Sequence, residues 1–160
     1  QSAHDDTLAL INRGHDAACF ANAVHSTRGR NLKICAHVII GLPGEDRSHV
    51  LKTARFLSDL RIDGVKLHLL YVIQGTRLDA MYKQGSYQCL DQDEYVGLVC
   101  DFLEHIPEHV VIQRLTGDPH PHELVAPQWA LNRNETFARI NQELEKRDTR
   151  QGRSARGQKP

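Results

Sequence analysis

The chain has 160 residues, 40% of them hydrophobic, and 20 Lys and Arg set against 20 Asp and Glu. That allows one modest core, and no apolar run approaches the roughly 20 residues a membrane-spanning helix needs. No charged-then-apolar leader opens it, so a soluble cytoplasmic protein is expected. Because the first residue is Gln1 and not Met, we expect a piece of a longer polypeptide.

Residues 5–13 are predicted to form a short helix, with Asp5 or Asp6 as cap and Gly14 after its end. A second helix is predicted from Asp16 to about Arg28, where Ala17, Phe20, Ala21 and Val24 recur at helical spacing. Residues 34–40 are apolar except for His37 and run into Gly41-Leu42-Pro43-Gly44. Such a run reads as a strand buried on both faces of a parallel sheet. An amphipathic helix over 47–60 follows, with Val50, Leu51, Ala54, Leu57 and Leu60 on one side. Residues 65–73 are predicted as one strand, 74–87 as a polar connector, 91–105 as a helix and 109–114 as a third strand. Residues 118–129 read as a loop and 134–147 as a polar helix. Alternating strands and helices are the pattern of βαβ units with right-handed crossovers.

Three parallel strands leave open edges. The sheet is therefore expected to continue on the N-terminal side, and an isolated piece to self-associate through those edges. Residues 1–115 are taken as the barrel half, 116–147 as a C-terminal extension with a helix, and 148–160 as a disordered basic tail. From 146 on, Lys146, Arg147, Arg150, Arg153, Arg156 and Lys159 face only Asp148. A tail so poor in apolar residues is a solvated end or a phosphate-seeking arm for RNA.

The cysteines, Cys19, Cys35, Cys89 and Cys100, show no CxxC spacing. They suggest neither a disulfide framework nor a zinc site, and this chain alone is expected to hold no iron–sulfur cluster. Cys35 and Cys100, in apolar runs, are expected to be buried.

Ligands of α/β sheets bind at the carboxyl ends of strands. Here those ends fall near Gln1, Gly41–Glu45 and Leu70–Gly75. The Gly41–Gly44 turn can bring backbone close to a planar ligand, or can simply reverse direction. His37 and His68 each interrupt an apolar strand and must find a partner, either within the core or in a ligand. Arg13 either complements a helix end or clamps a carboxylate. His120, His122 and Glu123 sit in a proline-containing segment read as a surface loop.

Together these segments resemble the radical S-adenosylmethionine (SAM) superfamily, in particular its Elongator-catalytic-subunit and coproporphyrinogen-oxidase groups and its YhcC-type branch. HVIIGLPGE resembles their fifth-strand segment, VKLHLLYVIQGTRL their sixth strand and following turn, and QSAHDDTLALINRGH the stretch after their fourth strand. The likeness covers residues 1 to about 150. It implies α/β architecture, the C-terminal part of a partial (β/α)6 TIM-like barrel. It further implies that Gln1 and His37 contact the SAM ribose and that Arg13 approaches the methionine carboxylate. Ile39, Ile40, Gly41 and Leu42 would line the adenine, with Leu70 and Tyr71 on the far side. The [4Fe-4S] cluster would be held by a CxxxCxxC segment outside this chain, so this piece alone is expected to be inactive, and the substrate would include tRNA in wobble-uridine modification. Two departures stand out: Gln74 where the family usually has Pro, and His37 where a relative has Asp. A non-catalytic RNA-binding module using the basic tail is the alternative reading.

Overall fold

A computed structural model of the chain describes residues 1–155. It opens with α1 (Asp5–Leu10) and α2 (Ala17–Thr27). α1 is shorter than expected because Asn12 adopts a left-handed conformation, φ 55°. Arg13 N–H donates to Leu8 O and Asn12 N–H to Ala9 O, which places Asn12, not Gly14, just past the cap. Asp5 does not cap α1; its carboxylate accepts from Ala17 N, while Asp16 caps α2.

Among the described residues five strands form two sheets: β1 (Cys35–Ile40), β2 (Gly64–Leu69), β3 (Val72–Ile73), β4 (Val111–Arg114) and β5 (Leu124–Ala126). β1, β2 and β4 lie side by side in that order, all parallel, and β3 and β5 make a separate antiparallel pair. α3 (Arg47–Asp59) joins β1 to β2. α4 (Arg77–Lys83) and α5 (Gln92–Glu104) lie between β3 and β4, and α6 (Arg133–Lys146) comes last. α3 and α5 pack side by side, with α6 against α5.

The single strand expected over 65–73 is two strands. Leu70 N–H still bonds to Ile40 O, but β1 ends there, and the chain leaves the parallel sheet to pair Val72 with Ala126. A continuous apolar run cannot reveal this break, since both pieces are buried. The connector expected over 74–87 contains α4, capped by the Thr76 hydroxyl accepting from Asp79 N. The segment expected as a loop contains β5.

Alternate residues of the parallel strands serve two surfaces. Ala36, Val38 and Ile40 of β1, and Val65, Leu67 and Leu69 of β2, are buried beneath the helices with Val50, Leu57, Tyr95, Phe102 and Ile140. Cys35, His37 and Ile39, which are opposite Gly64, Lys66 and His68, occupy the other face. A second small cluster joins Val72, Tyr87 and Ala126 to Leu70, Leu78 and Met81.

Residues 148–155, expected as the start of a disordered tail, instead take defined turns against α5. Gly152 N–H bonds to Leu103 O, and Ser154 N–H to Glu104 O. The Gln151 amide donates to Pro107 O and Val110 O. These bonds are long-range and could not be read from tail composition. The remainder of the expected tail, 156–160, lies outside the described residues.

Candidate functional site

The carboxyl ends of the strands gather at one end of the sheet. Ile39 N–H donates to Gln1 O at 3.0 Å, so the backbone at residue 1 runs along the free edge of β1. On the other side, Leu70 N–H bonds to Ile40 O at 2.9 Å. The three expected strand mouths are therefore neighbours.

Between them lies an open cleft of about 370 Å³, lined by Leu10, Ile11, Asn12, Ile39, Leu42, Pro43, Leu70, Arg77, Leu78 and Met81. Its walls are apolar, with Asn12 and Arg77 as polar groups, the composition usual for a small-molecule site. Gly41 stands behind this surface at φ 96°. A Cβ there would come within 3.2 Å of Leu90 Cδ1, so the turn needs glycine for both conformation and room. The Gly41 carbonyl accepts from Tyr87 Oη at 2.9 Å, which pins the turn to the segment after α4. The helix that follows is capped by Asp46, which accepts from Ser48 N and His49 N, and whose carboxyl is held below its usual range by hydrogen bonds from Ser48 and His49.

The nine residues named by the resemblance do not all meet. Ile39, Leu42 and Leu70 line the cleft. Arg13 Nε donates to Gln1 Oε1, and Gln1 shares a small crevice with His37, Phe20 and Phe56. Ile40 is a correction: it has no exposed surface and sits in the helix-side core, because strand alternation turns it away from its neighbour Ile39. Only its backbone reaches the mouth. Tyr71 is also not in the cleft; its ring lies over Gly117 beyond β4, where a Cβ would be 2.7 Å from Cε1.

Below the mouth, the His37 and His68 rings stack at 5.3 Å between centroids. Burial, then the neighbouring Lys66 charge, lowers the His37 pKa. Burial, then His37 and Arg114, lowers that of His68. Both rings are thus biased toward the neutral form. Nε2 of His68 is buried without a hydrogen-bond partner. Cys35, half-buried on the same face, has its thiol pKa raised, chiefly by burial.

Sequence reading missed the α4 wall of the cleft, Arg77, Leu78 and Met81. Thr76, three residues before Asp79, was the available signal, as a cap at the start of a helical turn. His120 and His122 approach each other, with ring centroids 5.4 Å apart, but no group of three His, Cys, Asp or Glu among the described residues could hold a metal. Of the tail cations, Arg147 is paired with Asp101 and Glu143, and Arg150 with Glu108. Among the described residues no helix is long and apolar enough to cross a membrane.

A parallel sheet with helices on one face and a ligand-sized cleft at its strand mouths is part of a (β/α) barrel of the TIM-like kind. The chain belongs to the radical SAM superfamily, in its Elongator-like, YhcC-type group: the Radical_SAM C-terminal domain family matches residues 62–146. An uncharacterized protein of Methanocaldococcus jannaschii, MJ0486, is 44% identical over 153 residues, covering 95% of this chain and 48% of that one. Protein YhcC of Escherichia coli is 35% identical over 83% of this chain and 43% of its own length. A tRNA uridine(34) acetyltransferase of Dehalococcoides mccartyi is 33% identical over 74% of this chain and 26% of its own. The solved structure of Methanocaldococcus infernus Elp3, with an N-terminal deletion, superposes with a TM-score of 0.82 over 94% of this chain and 35% of that one, at 24% identity. That likeness speaks to the fold. The chain spans about half the length of the first curated relatives it matches, 48% for MJ0486 and 43% for YhcC.

Proposed function

We propose that this chain is the SAM-binding half of a radical SAM enzyme that modifies tRNA. The observation that carries the reading is the convergence of Ile39, Leu42 and Leu70 on one apolar cleft beside the linked pair Gln1–Arg13. The cleft is sized for a nucleoside, and the pair offers amide and guanidinium groups to a ribose and a carboxylate. The residues present fit SAM in this sense. They do not fit a [4Fe-4S] cluster: Cys19 is exposed, Cys100 buried, and Cys35 and Cys89 are only partly buried on separate elements. Its ligands are assigned to the part of the polypeptide outside this chain.

A cluster held there would supply the electron for reductive cleavage of SAM. In this reading Arg13 would hold the methionine carboxylate of SAM, Gln1 and the neutral His37 its ribose, and the hydrophobic wall of Ile39, Leu42 and Leu70 would line the base. Residues 1–115 are the barrel half and 116–147 an extension that shares its core through Leu124, Ala130 and Ile140. The tRNA assignment rests on the D. mccartyi relative, a tRNA uridine(34) acetyltransferase.

The test is anaerobic reconstitution of the intact protein with iron, sulfide, reductant and SAM. Release of 5′-deoxyadenosine is expected, and a loaded cluster that yields none overturns the reading. Ile39→Asp and Arg13→Gln should each weaken SAM binding by about tenfold or more, the scale of one lost charged or apolar contact.

A further inference from the structure

The inner face of the parallel sheet carries cations and no acid. Lys66 is opposite His37 in β1 and opposite Arg114 in β4, so the register brings three nitrogen-bearing side chains into one row. His68 lies one pleat nearer the mouth, stacked on His37. Lys66 and Arg114 are charges that act on both imidazoles. Neither cation makes an ion pair or a side-chain hydrogen bond among the described residues. Nε2 of His68 is likewise without a partner although buried. Cys35 and Gln113 flank Gly64 on this face: a Cβ on Gly64 would meet Val111 O at 3.2 Å, Gln113 Nε2 at 3.3 Å and Cys35 Sγ at 3.6 Å.

Several cations of the helix layer have acidic partners, although Lys52, Arg77 and Arg133 make no ion pair among the described residues. Arg47 and Arg147 share Asp101, Arg139 has Glu135 and Asp93, and Arg150 has Glu108. On the inner face this chain supplies no such complement. Like charges on facing strands disfavour the sheet, and Lys66, partly buried while Arg114 is exposed, has no counter-ion to offset its lost hydration. An anion placed on this row would relieve both.

We propose that this wall takes the anionic group, a phosphate or a carboxylate, of a second small-molecule ligand that enters the barrel beside the cofactor. Lys66 and Arg114 are its cationic contacts, and His68 Nε2 its hydrogen-bond partner. The inference rests on the barrel reading above for placing the wall inside a cavity, and it deepens that reading by giving the charge of the co-substrate. The cofactor cleft at Ile39, Leu42 and Leu70 lies at the strand mouths; Lys66 and Arg114 lie below it, within the strands, and His37 adjoins both.

The experiment uses the intact, cluster-loaded protein with histidine rings labelled for NMR, without SAM and without reductant, and His68→Gln assigns the His68 signals. Inorganic phosphate and acetate are titrated separately against sodium chloride at matched ionic strength. Saturable movement of the His68 and His37 ring signals with phosphate, acetate or both is expected, and the stronger of the two identifies the anion's source. Lys66→Met and Arg114→Gln should each raise the apparent dissociation constant about tenfold, as for loss of one charge-assisted contact, and Lys66→Arg should largely restore it. Absence of a saturable shift with either anion overturns the proposal. So does an unchanged titration in the folded Lys66→Met protein, which would mean that the anion binds without Lys66. Because no turnover is read, failure here and failure of cofactor cleavage are separate results.

Discussion

The two faces of the parallel sheet are built from the same strands and do opposite jobs. Toward the helices, Ala36, Val38, Ile40, Val65, Leu67 and Leu69 are all at most 4% exposed. Toward the open side, the alternate residues are Cys35, His37, Ile39, Lys66 and His68, partly exposed and mostly polar. One face supplies burial, whose free energy scales with apolar area removed from water. The other supplies groups that are poorly satisfied within this chain. Stability and ligand chemistry are thereby separated by one residue along each strand.

That separation can be broken first on the helix side. Phe102 is fully buried in the core, so Phe102→Ala should cost ~3–5 kcal/mol, read as a drop in denaturant midpoint. A loss below ~1 kcal/mol would mean that the helix layer does not hold the sheet. Next comes the charged seam of the same layer. Burial alone would raise the Asp101 pKa, but hydrogen bonds and charge from Arg47 and Arg147 outweigh it and lower it. A depressed carboxylate stabilises the fold above its unfolded pKa of about 4, and that contribution fades as pH falls through the still lower folded value. Asp101→Asn should therefore remove roughly 1.5–3 kcal/mol at pH 7, toward the low end because Arg47 is 64% exposed and screened by water. It should also flatten the acid limb of a stability–pH curve; an unchanged limb would assign it to other carboxylates.

At the mouth, Gly41→Ala must hold φ 96° and press on Leu90. About 1–3 kcal/mol is expected, together with weaker SAM binding in calorimetry. A stability loss with intact SAM affinity would make the turn purely structural. The smallest effect belongs to the open face: Lys66→Met should change unfolding free energy by no more than about 0.5 kcal/mol. A larger loss would show that Lys66 has a partner in the rest of the polypeptide, and the two faces would then differ less than their composition suggests.

Local pattern was enough to recover the alternation of parallel strands and helices, the turn at Gly41–Gly44 and the grouping of strand mouths near Gln1, Gly41 and Leu70. These depend on hydrophobic runs and on glycine's access to positive φ, which neighbouring residues dictate. Pattern could not show where the 65–73 run breaks, because an apolar segment looks the same whether it serves one sheet or two. It could set Ile39 and Ile40 on opposite faces but not say which of the two the helices cover. Nor could it see α4 closing the cleft, or residues 148–155 bonding to α5. Those features arise from contacts between residues tens of positions apart, such as Val72 with Ala126 and Gly152 with Leu103. Hydrogen-bond partners at that separation are chosen by how the core packs, and core packing exists only once the chain has folded.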